Sequence, residues 1–276
     1  IGPLRTYRHA PNTGSRKSWA AGDATSRGVF LAFQSLRGEM GYPTALTAPK
    51  WGFYDRIWEG KCFEFQQSYG TYVMENILFK ISYPAEFHGQ TAVEAAIKLH
   101  SKVINQLDEI KRIEIFTHEA AVRIIDKKGP LLNPAARDHC LQYMVAIGLL
   151  FGKLEYEDYE DERASDPRIE VLRKKMVVQE SPSYTQEYHE RNKRAIANSI
   201  QIFFNDGTNT EIFEVKYPLG HRKRRSEAIK QLEEKFRNNL LSQFSIERVN
   251  QIMGLFTNQE KLDQTPVPFF MELLRK

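Results

Sequence analysis

The sequence predicts an α+β protein in which a mixed strand and helix module is inserted between helical segments. Three observations lead to this fold class. Apolar residues recur with helical spacing near both ends of the chain, strand-like alternation appears in the centre, and the two patterns follow one another there. We place the inserted module at about residues 71–219, with helical segments at residues 1–70 and 220–276.

Helical spacing is found in four segments. Small and apolar residues from Asp23 to Arg37 predict a first helix that ends at a glycine, and a second helix follows Pro84. A third is expected from Pro134 to about Phe151, where residues four apart, such as His139 and Tyr143, would share a face. A fourth lies in the last 50 residues, where the apolar positions in step are Ile229, Leu232, Phe236 and Leu240.

Strands are predicted where apolar and polar residues alternate. Residues Lys61 to Gln66 and Arg112 to Thr117 both show this pattern. A hairpin is predicted at residues 200–217, because two alternating runs flank the turn-forming string Asn-Asp-Gly-Thr at residues 205–208.

The composition excludes several classes of protein. A chain of 276 residues with 41% hydrophobic residues can bury a core without covalent or metal crosslinks. Its two cysteines, Cys62 and Cys140, cannot form a four-thiolate zinc site, a C-x-x-C redox motif or an iron–sulfur site of the usual cysteine-rich kind. We expect neither a metal nor another cofactor. The chain has no apolar run of about 18 residues and no secretory signal at its start, so we expect a soluble protein with no membrane partner.

The net charge of +4 is unevenly distributed. Residues 155–166 are strongly acidic and predict a surface loop or a fraying helix. The run from His221 to Arg225 is basic, which suits a nuclear signal, a polyanion-binding patch, a surface corner or a contact to an anionic ligand across a domain boundary. No aromatic residues are interleaved with it for base stacking, so we expect no nucleic-acid partner.

The basic string at residues 5–18 is the first candidate site. Its members Arg8, His9, Arg16 and Lys17 precede a predicted helix, whose amino-terminal N–H groups favour anions. This combination suits a small polycarboxylate, although a solvated basic loop has the same composition.

Three further candidates lie in the predicted module. Lys80 is flanked by apolar residues just before a helix, which fits either an anion ligand or a lysine whose stem covers the core. His88 and Glu86 lie in one turn and have the chemistry of an acid–base pair. Tyr143 lies on an apolar stripe, so it is either a core tyrosine with a satisfied hydroxyl or a site residue.

Five strings of this sequence, in the same order, resemble the MmgE/PrpD family. They are residues 4–27, 39–55, 72–94, 118–147 and 217–225. The resemblance covers essentially the whole chain, but members of the family are longer at the amino-terminal side. We therefore expect a carboxy-terminal portion of such a protein, which also accounts for the absence of an initiator methionine.

The resemblance implies a helical domain built from both chain ends and a smaller α+β lid domain, a two-layer sandwich. It also implies elimination of water from 2-methylcitrate to give 2-methyl-cis-aconitate in the methylcitrate cycle of propionate catabolism. Such a reaction needs cations to hold the carboxylates, a base for the proton and an acid for the departing hydroxide. Two alternatives stay open: decarboxylation of cis-aconitate or another polycarboxylate lyase reaction, and a folded unit without turnover.

By resemblance, Lys17, Lys80 and Tyr143 match catalytic positions of the family, although Lys80 is one residue further from Pro84 than in decarboxylase relatives. From chemistry alone we add Arg8, His9 and His88; the residues that we expect to bind the substrate are Arg8, Arg16 and His88. The family's principal acid–base aspartate and histidines match no residue here. We expect a tricarboxylate substrate and a homodimer, in the mitochondrial matrix of a eukaryote or the cytoplasm of a bacterium.

Overall fold

The computed structural model of the protein describes residues 14, 16–65, 70 and 77–275. The α+β prediction is confirmed, since the described residues contain one sheet of four strands and are otherwise mainly helical. The chain forms two units, residues 1–75 and residues 76–276.

The first unit contains α1 (Arg16–Leu36) and α2 (Phe53–Ile57). Helix α1 begins seven residues before the predicted start at Asp23. Asp23 does not cap the helix; it lies on its surface, where its carboxylate accepts hydrogen bonds from Arg16 at 2.7 Å and Arg27 at 2.9 Å. No residue of α1 is buried among the described residues. Its large apolar side chains, including Phe30 at 61% and Phe33 at 57%, are exposed.

The strand predicted from Lys61 to Gln66 is wrong for residues 61–65, which form no regular secondary structure, and Gln66 lies outside the described residues. The aromatic side chain in this segment packs locally instead. The ring of Phe63 lies 5.6 Å from Phe53, 5.4 Å from Tyr54 and 5.3 Å from Trp58. Phe63 is therefore apolar because it packs back onto α2, and the described residues of this unit contain no strand that could pair with residues 61–65.

In the second unit the sheet has the order β2-β1-β3-β4. Strands β1 and β2 are parallel, and the other two pairs are antiparallel. The predicted strand at Arg112 to Thr117 and the hairpin at residues 200–217 are confirmed, whereas β2 was not predicted. The strands are β1 (Ile110–Thr117), β2 (Met176–Glu180), β3 (Asn198–Phe204) and β4 (Phe213–Val215).

The core of the second unit lies between this sheet and two helices, α3 (Gln90–Val103) and α6 (Leu141–Phe151). Ile113 faces Ile202 across the β1–β3 ladder and Ile115 faces Ile200, and all four are fully buried. Because side chains alternate along a strand, one face of β1 and β3 packs on the core while the other carries residues such as Gln201.

The single helix predicted from Pro134 to Phe151 is two helices, α5 (Pro134–Arg137) and α6, which follow α4 (Glu119–Ile125). Between them, Cys140 is extended and the carbonyl of Asp138 accepts the backbone N–H of Glu86 at 3.2 Å. His139 therefore precedes α6, and the prediction that it shares a helix face with Tyr143 is wrong.

The acidic stretch at residues 155–166 is not wholly a surface feature. Asp158 is buried, and its carboxylate accepts hydrogen bonds from Arg163 at 2.9 Å and from the backbone N–H of Glu155 at 2.8 Å. The stretch forms a 3₁₀ turn (Tyr156–Tyr159) and then α7 (Asp161–Ala164). The remaining helices are α8 (Pro167–Lys174), α9 (Pro182–His189), α10 (Arg225–Leu241), α11 (Ile246–Phe256), α12 (Gln259–Gln264) and α13 (Val267–Leu273).

The basic run from His221 to Arg225 makes contacts within the protein. Arg222 donates to the carbonyls of Arg191 at 3.0 Å and Asn192 at 2.7 Å. Arg224 donates to Glu94 at 3.0 Å and to the carbonyl of Tyr217. Gly220 precedes the run with φ +96°, and a Cβ there would lie 2.2 Å from the carbonyl oxygen of Phe79. The surface-corner interpretation therefore describes this run better than a polyanion patch.

Among the described residues, no helix combines the length and apolar character that crossing a membrane requires.

Substitution at Gly148 tests the packing of α6 against α3. A Cβ at Gly148 would lie 2.9 Å from the Cβ of Ala96, so we expect Gly148→Ala to reduce the free energy of unfolding by about 1–3 kcal/mol. Gly254→Ala in α11 is the matched control, because no atom lies within 4 Å of its added Cβ. This control is expected to stabilise by up to about 1 kcal/mol. Urea unfolding measures both, and equal effects would contradict the close approach.

Candidate functional site

The candidate site is built around Glu86 and His88, in the turn that leads into α3. Glu86 caps the 3₁₀ turn Phe87–Gly89, since its side chain accepts the backbone N–H of His88 at 2.8 Å. The same carboxylate lies 2.9 Å from Nδ1 of the His88 ring. The two side chains are 13% and 16% exposed, so the pair is shielded but still reaches the surface.

Tyr188 of α9 contacts the other edge of the His88 ring, with 3.3 Å between its hydroxyl and Nε2. A carboxylate only accepts hydrogen bonds, so we assign the ring proton of neutral His88 to Nδ1, facing Glu86. Nε2 then has a lone pair, and the Tyr188 hydroxyl donates to it. In this arrangement Glu86 makes Nε2 the basic nitrogen of the ring.

His118, the residue after β1, completes a cluster with Glu86, His88 and Tyr188, which we call the His88 cluster. Its ring stacks on Tyr188 at 4.5 Å with 20° between the planes, and lies 5.2 Å from the ring of His88. The residue is fully buried. Burial, and then the nearby charge of His88, lower the pKa of His118 to about 4. His118 is therefore neutral near pH 7.

The electrostatics of Glu86 reflect two opposing effects. Burial alone would raise the pKa of the Glu86 carboxyl. The hydrogen bonds and the charge of His88 lower that pKa by a larger amount, so the net pKa is below its usual range. Glu86 is thus held in its ionised, accepting form.

A second histidine and carboxylate lie next to this pair, because the backbone N–H of Glu86 donates to the Asp138 carbonyl. There, Nδ1 of His139 lies 2.6 Å from the Asp138 carboxylate.

Strand β3 fixes the position of the turn. The side-chain amide of Asn198 donates to the carbonyl of His88 at 2.9 Å and to the hydroxyl of Thr91 at 2.7 Å. The Thr91 hydroxyl in turn donates to the carbonyl of Ile196 at 2.5 Å. Asn198 and Thr91 are fully buried, so the turn is attached to the sheet by a protected network.

Tyr143 lies in the core of the second unit. Its hydroxyl donates to the carbonyl of Asp158 at 2.6 Å, and its ring stacks on Tyr159 at 6.1 Å. Burial raises the pKa of Tyr143 to about 12. These contacts match the core-tyrosine alternative, and a role in catalysis stays a prediction.

Three of the predicted cationic site residues, Lys80, Arg16 and Lys17, lie in the described part of the chain. Lys80 is exposed, and its carbonyl accepts a hydrogen bond from Nζ of Lys235 in α10 at 2.6 Å. Arg16 and Lys17 are the first two residues of α1, as an anion site at a helix amino terminus requires. Arg16 also pairs with Asp23, and its guanidinium lies 4.3 Å above the ring centre of Trp19. The predicted residues Arg8 and His9 lie outside the described residues.

Within the described part of the chain, no group of three or more His, Cys, Asp or Glu side chains is arranged to hold a metal ion. Sequence reasoning found Glu86 and His88 but missed Tyr188 and His118. The one available signal was that His118 directly follows a predicted strand, in a connecting segment of the kind that often carries functional residues. Tyr188 carried no signal, because it is distant in the sequence and lies in a helix that was not predicted.

Family models place this chain in a known group. The model of the MmgE/PrpD C-terminal domain matches residues 83–260, and that of the MmgE/PrpD N-terminal domain matches residues 2–66. The chain belongs to the MmgE/PrpD family.

Individual relatives agree with this assignment. A protein of Escherichia coli K12 named 2-methylcitrate dehydratase is 56% identical over 273 residues, which are 98% of this chain and 56% of that protein. A 2-methylcitrate dehydratase of Cupriavidus necator is 55% identical with the same coverage. A mitochondrial 2-methylcitrate dehydratase of Yarrowia lipolytica is 56% identical over 93% of this chain and 50% of its own length. The chain thus spans about half the length of the curated relatives it matches.

The buried histidines predict a loss of stability in acid. The folded pKa of His118, about 4, is below its ordinary value of 6.5, so the unfolded chain takes up a proton first as the pH falls. We expect the free energy of unfolding to fall between about pH 6.5 and pH 4, by up to about 3 kcal/mol from this residue. Glutamine cannot be protonated, so His118→Gln should reduce the slope of this dependence; His221, whose pKa burial also lowers to about 4, accounts for the part that remains. Urea unfolding at several pH values measures this, and an unchanged slope in the variant would contradict a neutral, buried His118.

Proposed function

We propose that this chain forms part of a hydro-lyase that eliminates water from 2-methylcitrate to give 2-methyl-cis-aconitate, in the methylcitrate cycle of propionate catabolism. The observation that carries the proposal is the 56% identity, over 98% of the chain, to a relative named 2-methylcitrate dehydratase. Similar identity to bacterial and fungal relatives of the same name supports the same substrate class, a branched tricarboxylate.

The geometry of His88 suits one step of this reaction. Elimination of water requires a group that accepts or supplies a proton beside the substrate. The Glu86 carboxylate, at 2.9 Å from Nδ1, directs the lone pair of His88 to Nε2 and stabilises the imidazolium formed when that nitrogen takes up a proton. His88 thus has the orientation and the electrostatic support of an acid–base or substrate-binding residue.

The substrate carries three carboxylates, so cationic side chains are needed to bind it. We assign this role to Arg8, Arg16, Lys17 and Lys80. Lys17 is half-buried in the first turn of α1, where the helix dipole adds to its attraction for an anion. Tyr143 is proposed to shape the site or to transfer a proton at the edge of the lid.

We propose the same domain organisation as the sequence suggests: a lid domain at residues 71–219, and a helical domain that includes residues 1–70 and 220–276. The sheet and the helices of its core, between Gln90 and Val215, support a module in the middle of the chain. A homodimer is proposed as the assembly. The compartment is proposed to be the mitochondrial matrix in a eukaryote or the cytoplasm in a bacterium.

A chimera tests the activity. The Escherichia coli relative contains more residues than this chain matches, so we replace its matching 273 residues with the equivalent residues of this chain. We expect the chimera to convert 2-methylcitrate to a conjugated alkene, followed by ultraviolet absorbance, within about tenfold of the relative's kcat/KM. Circular dichroism checks that the chimera is folded. A folded chimera without alkene formation would refute the proposal, and release of carbon dioxide from cis-aconitate would favour the decarboxylase alternative.

Charge removal tests the binding residues. In this chimera, Lys17→Ala or Lys80→Ala should lower kcat/KM about tenfold to hundredfold, because each removes a charge-assisted contact to a carboxylate. Lys98→Ala is the matched control, since Lys98 is an exposed lysine on α3. If either variant keeps the activity of the control, the role proposed for that lysine is wrong.

A further inference from the structure

Tyr188 and His118 belong to the His88 cluster but have no part in the proposed function as described above. We propose that Tyr188 is a positioning residue for His88, and that His118 holds the Tyr188 ring in the place where its hydroxyl meets Nε2. The consequence for activity rests on the function proposed above, whereas the consequence for the His88 ring does not.

Both edges of the His88 ring are fixed. Glu86 lies 2.9 Å from Nδ1, and the Tyr188 hydroxyl lies 3.3 Å from Nε2. These partners come from opposite directions, one from the turn before α3 and the other from α9, a hundred residues later in the chain. A ring flip would place carbon atoms against both polar groups, so the two contacts select one orientation.

A hydroxyl at this position suits both protonation states of His88. When His88 is neutral, the phenol O–H donates to the lone pair of Nε2. When Nε2 has taken up a proton, its N–H donates to the phenol oxygen, and the hydroxyl hydrogen rotates away. The heavy atoms need not move. At 3.3 Å the contact is near the long limit for a hydrogen bond, so a substrate can exchange with it at Nε2.

His118 determines where the phenol of Tyr188 lies. Its ring stacks on that of Tyr188 at 4.5 Å with 20° between the planes, and the residue is fully buried directly after β1, so packing fixes the ring beneath the phenol. The ionisable groups that face the cluster are Glu86, His88, His139 and His189. Because His118 itself stays neutral, it adds no positive charge that would oppose protonation of His88.

Helix α9 provides a matched control. Tyr184 lies one turn before Tyr188; its hydroxyl donates to the Glu214 carboxylate at 2.5 Å and accepts from the Ser199 hydroxyl at 3.1 Å. Tyr184→Phe therefore removes a phenol hydroxyl from the same helix face without removing a contact to His88. Comparison of Tyr188→Phe with Tyr184→Phe separates the loss of this hydrogen bond from a general effect on α9.

The structural arm of the test uses the 276-residue chain with ¹⁵N-labelled histidine. In the unsubstituted chain we expect the His88 Nε2 resonance of an unprotonated nitrogen that accepts a hydrogen bond, and Nδ1 as the protonated nitrogen. Tyr188→Phe should move Nε2 downfield and leave Nδ1 protonated, whereas Tyr184→Phe should move neither. Glu86→Gln removes the carboxylate charge beside Nδ1 and should move the Nδ1 resonance, which assigns the His88 signals.

The kinetic arm uses the chimera described above. We expect Tyr188→Phe to lower kcat about tenfold, as loss of one hydrogen bond to the reacting group does, with KM changed less than twofold. Tyr184→Phe should keep kcat. His118→Phe retains a ring that can stack on Tyr188 and should keep most of kcat, whereas His118→Ala should lower it as Tyr188→Phe does.

The two arms fail independently. A His88 Nε2 resonance that is the same in Tyr188→Phe and in the unsubstituted chain overturns the positioning role, whatever the activity. Equal losses of kcat in Tyr188→Phe and Tyr184→Phe overturn its importance for turnover. An unsubstituted chimera that is folded but inactive refutes the proposed function, while the resonance shifts still decide the role of Tyr188.

Discussion

The side-chain amide of Asn198 connects the parts of the second unit on which the candidate site depends. It sits at the first residue of β3, fully buried, and donates to the His88 carbonyl and to the Thr91 hydroxyl. Leaving a buried amide without these partners would cost more free energy than the hydrogen bonds contribute to stability. The strand, the turn and the start of α3 are therefore held in one arrangement. The orientation of His88 is thus a property of the sheet as much as of the turn.

The sheet can perform this role because its own position is determined by packing. Isoleucines of β1 and β3 face one another in the core, and α3 and α6 approach closely where Gly148 meets Ala96. A shift of one residue in the β1–β3 register would move these isoleucines to the opposite face and move Asn198 away from the turn. Apolar packing therefore determines the geometry of a polar site several residues away.

The sequence predicts those features that depend on neighbours along the chain. The α+β class, strand β1 and the hairpin follow from periodicity and turn chemistry, and the Glu86–His88 pair from two residues in one turn. The break between helices α5 and α6 at Asp138 does not follow from the local sequence, because it depends on the backbone N–H of Glu86, some fifty residues earlier. Tyr188 and His118 are missed for the same reason: only the tertiary fold brings them to His88. The strand expected at residues 61–65 failed because alternation does not specify a partner strand.

The net charge of the basic run after Gly220 does not by itself describe what its side chains do. Arg222 donates to two carbonyl oxygens, and Arg224 to a carboxylate and a carbonyl, so these side chains are used for the shape of their donors as well as for their charge. A lysine at either position would preserve the net charge of +4, but its single ammonium does not reproduce the planar donor arrangement of a guanidinium. Two sequences with the same isoelectric point can therefore differ in whether this corner of the chain is joined to the rest of its unit.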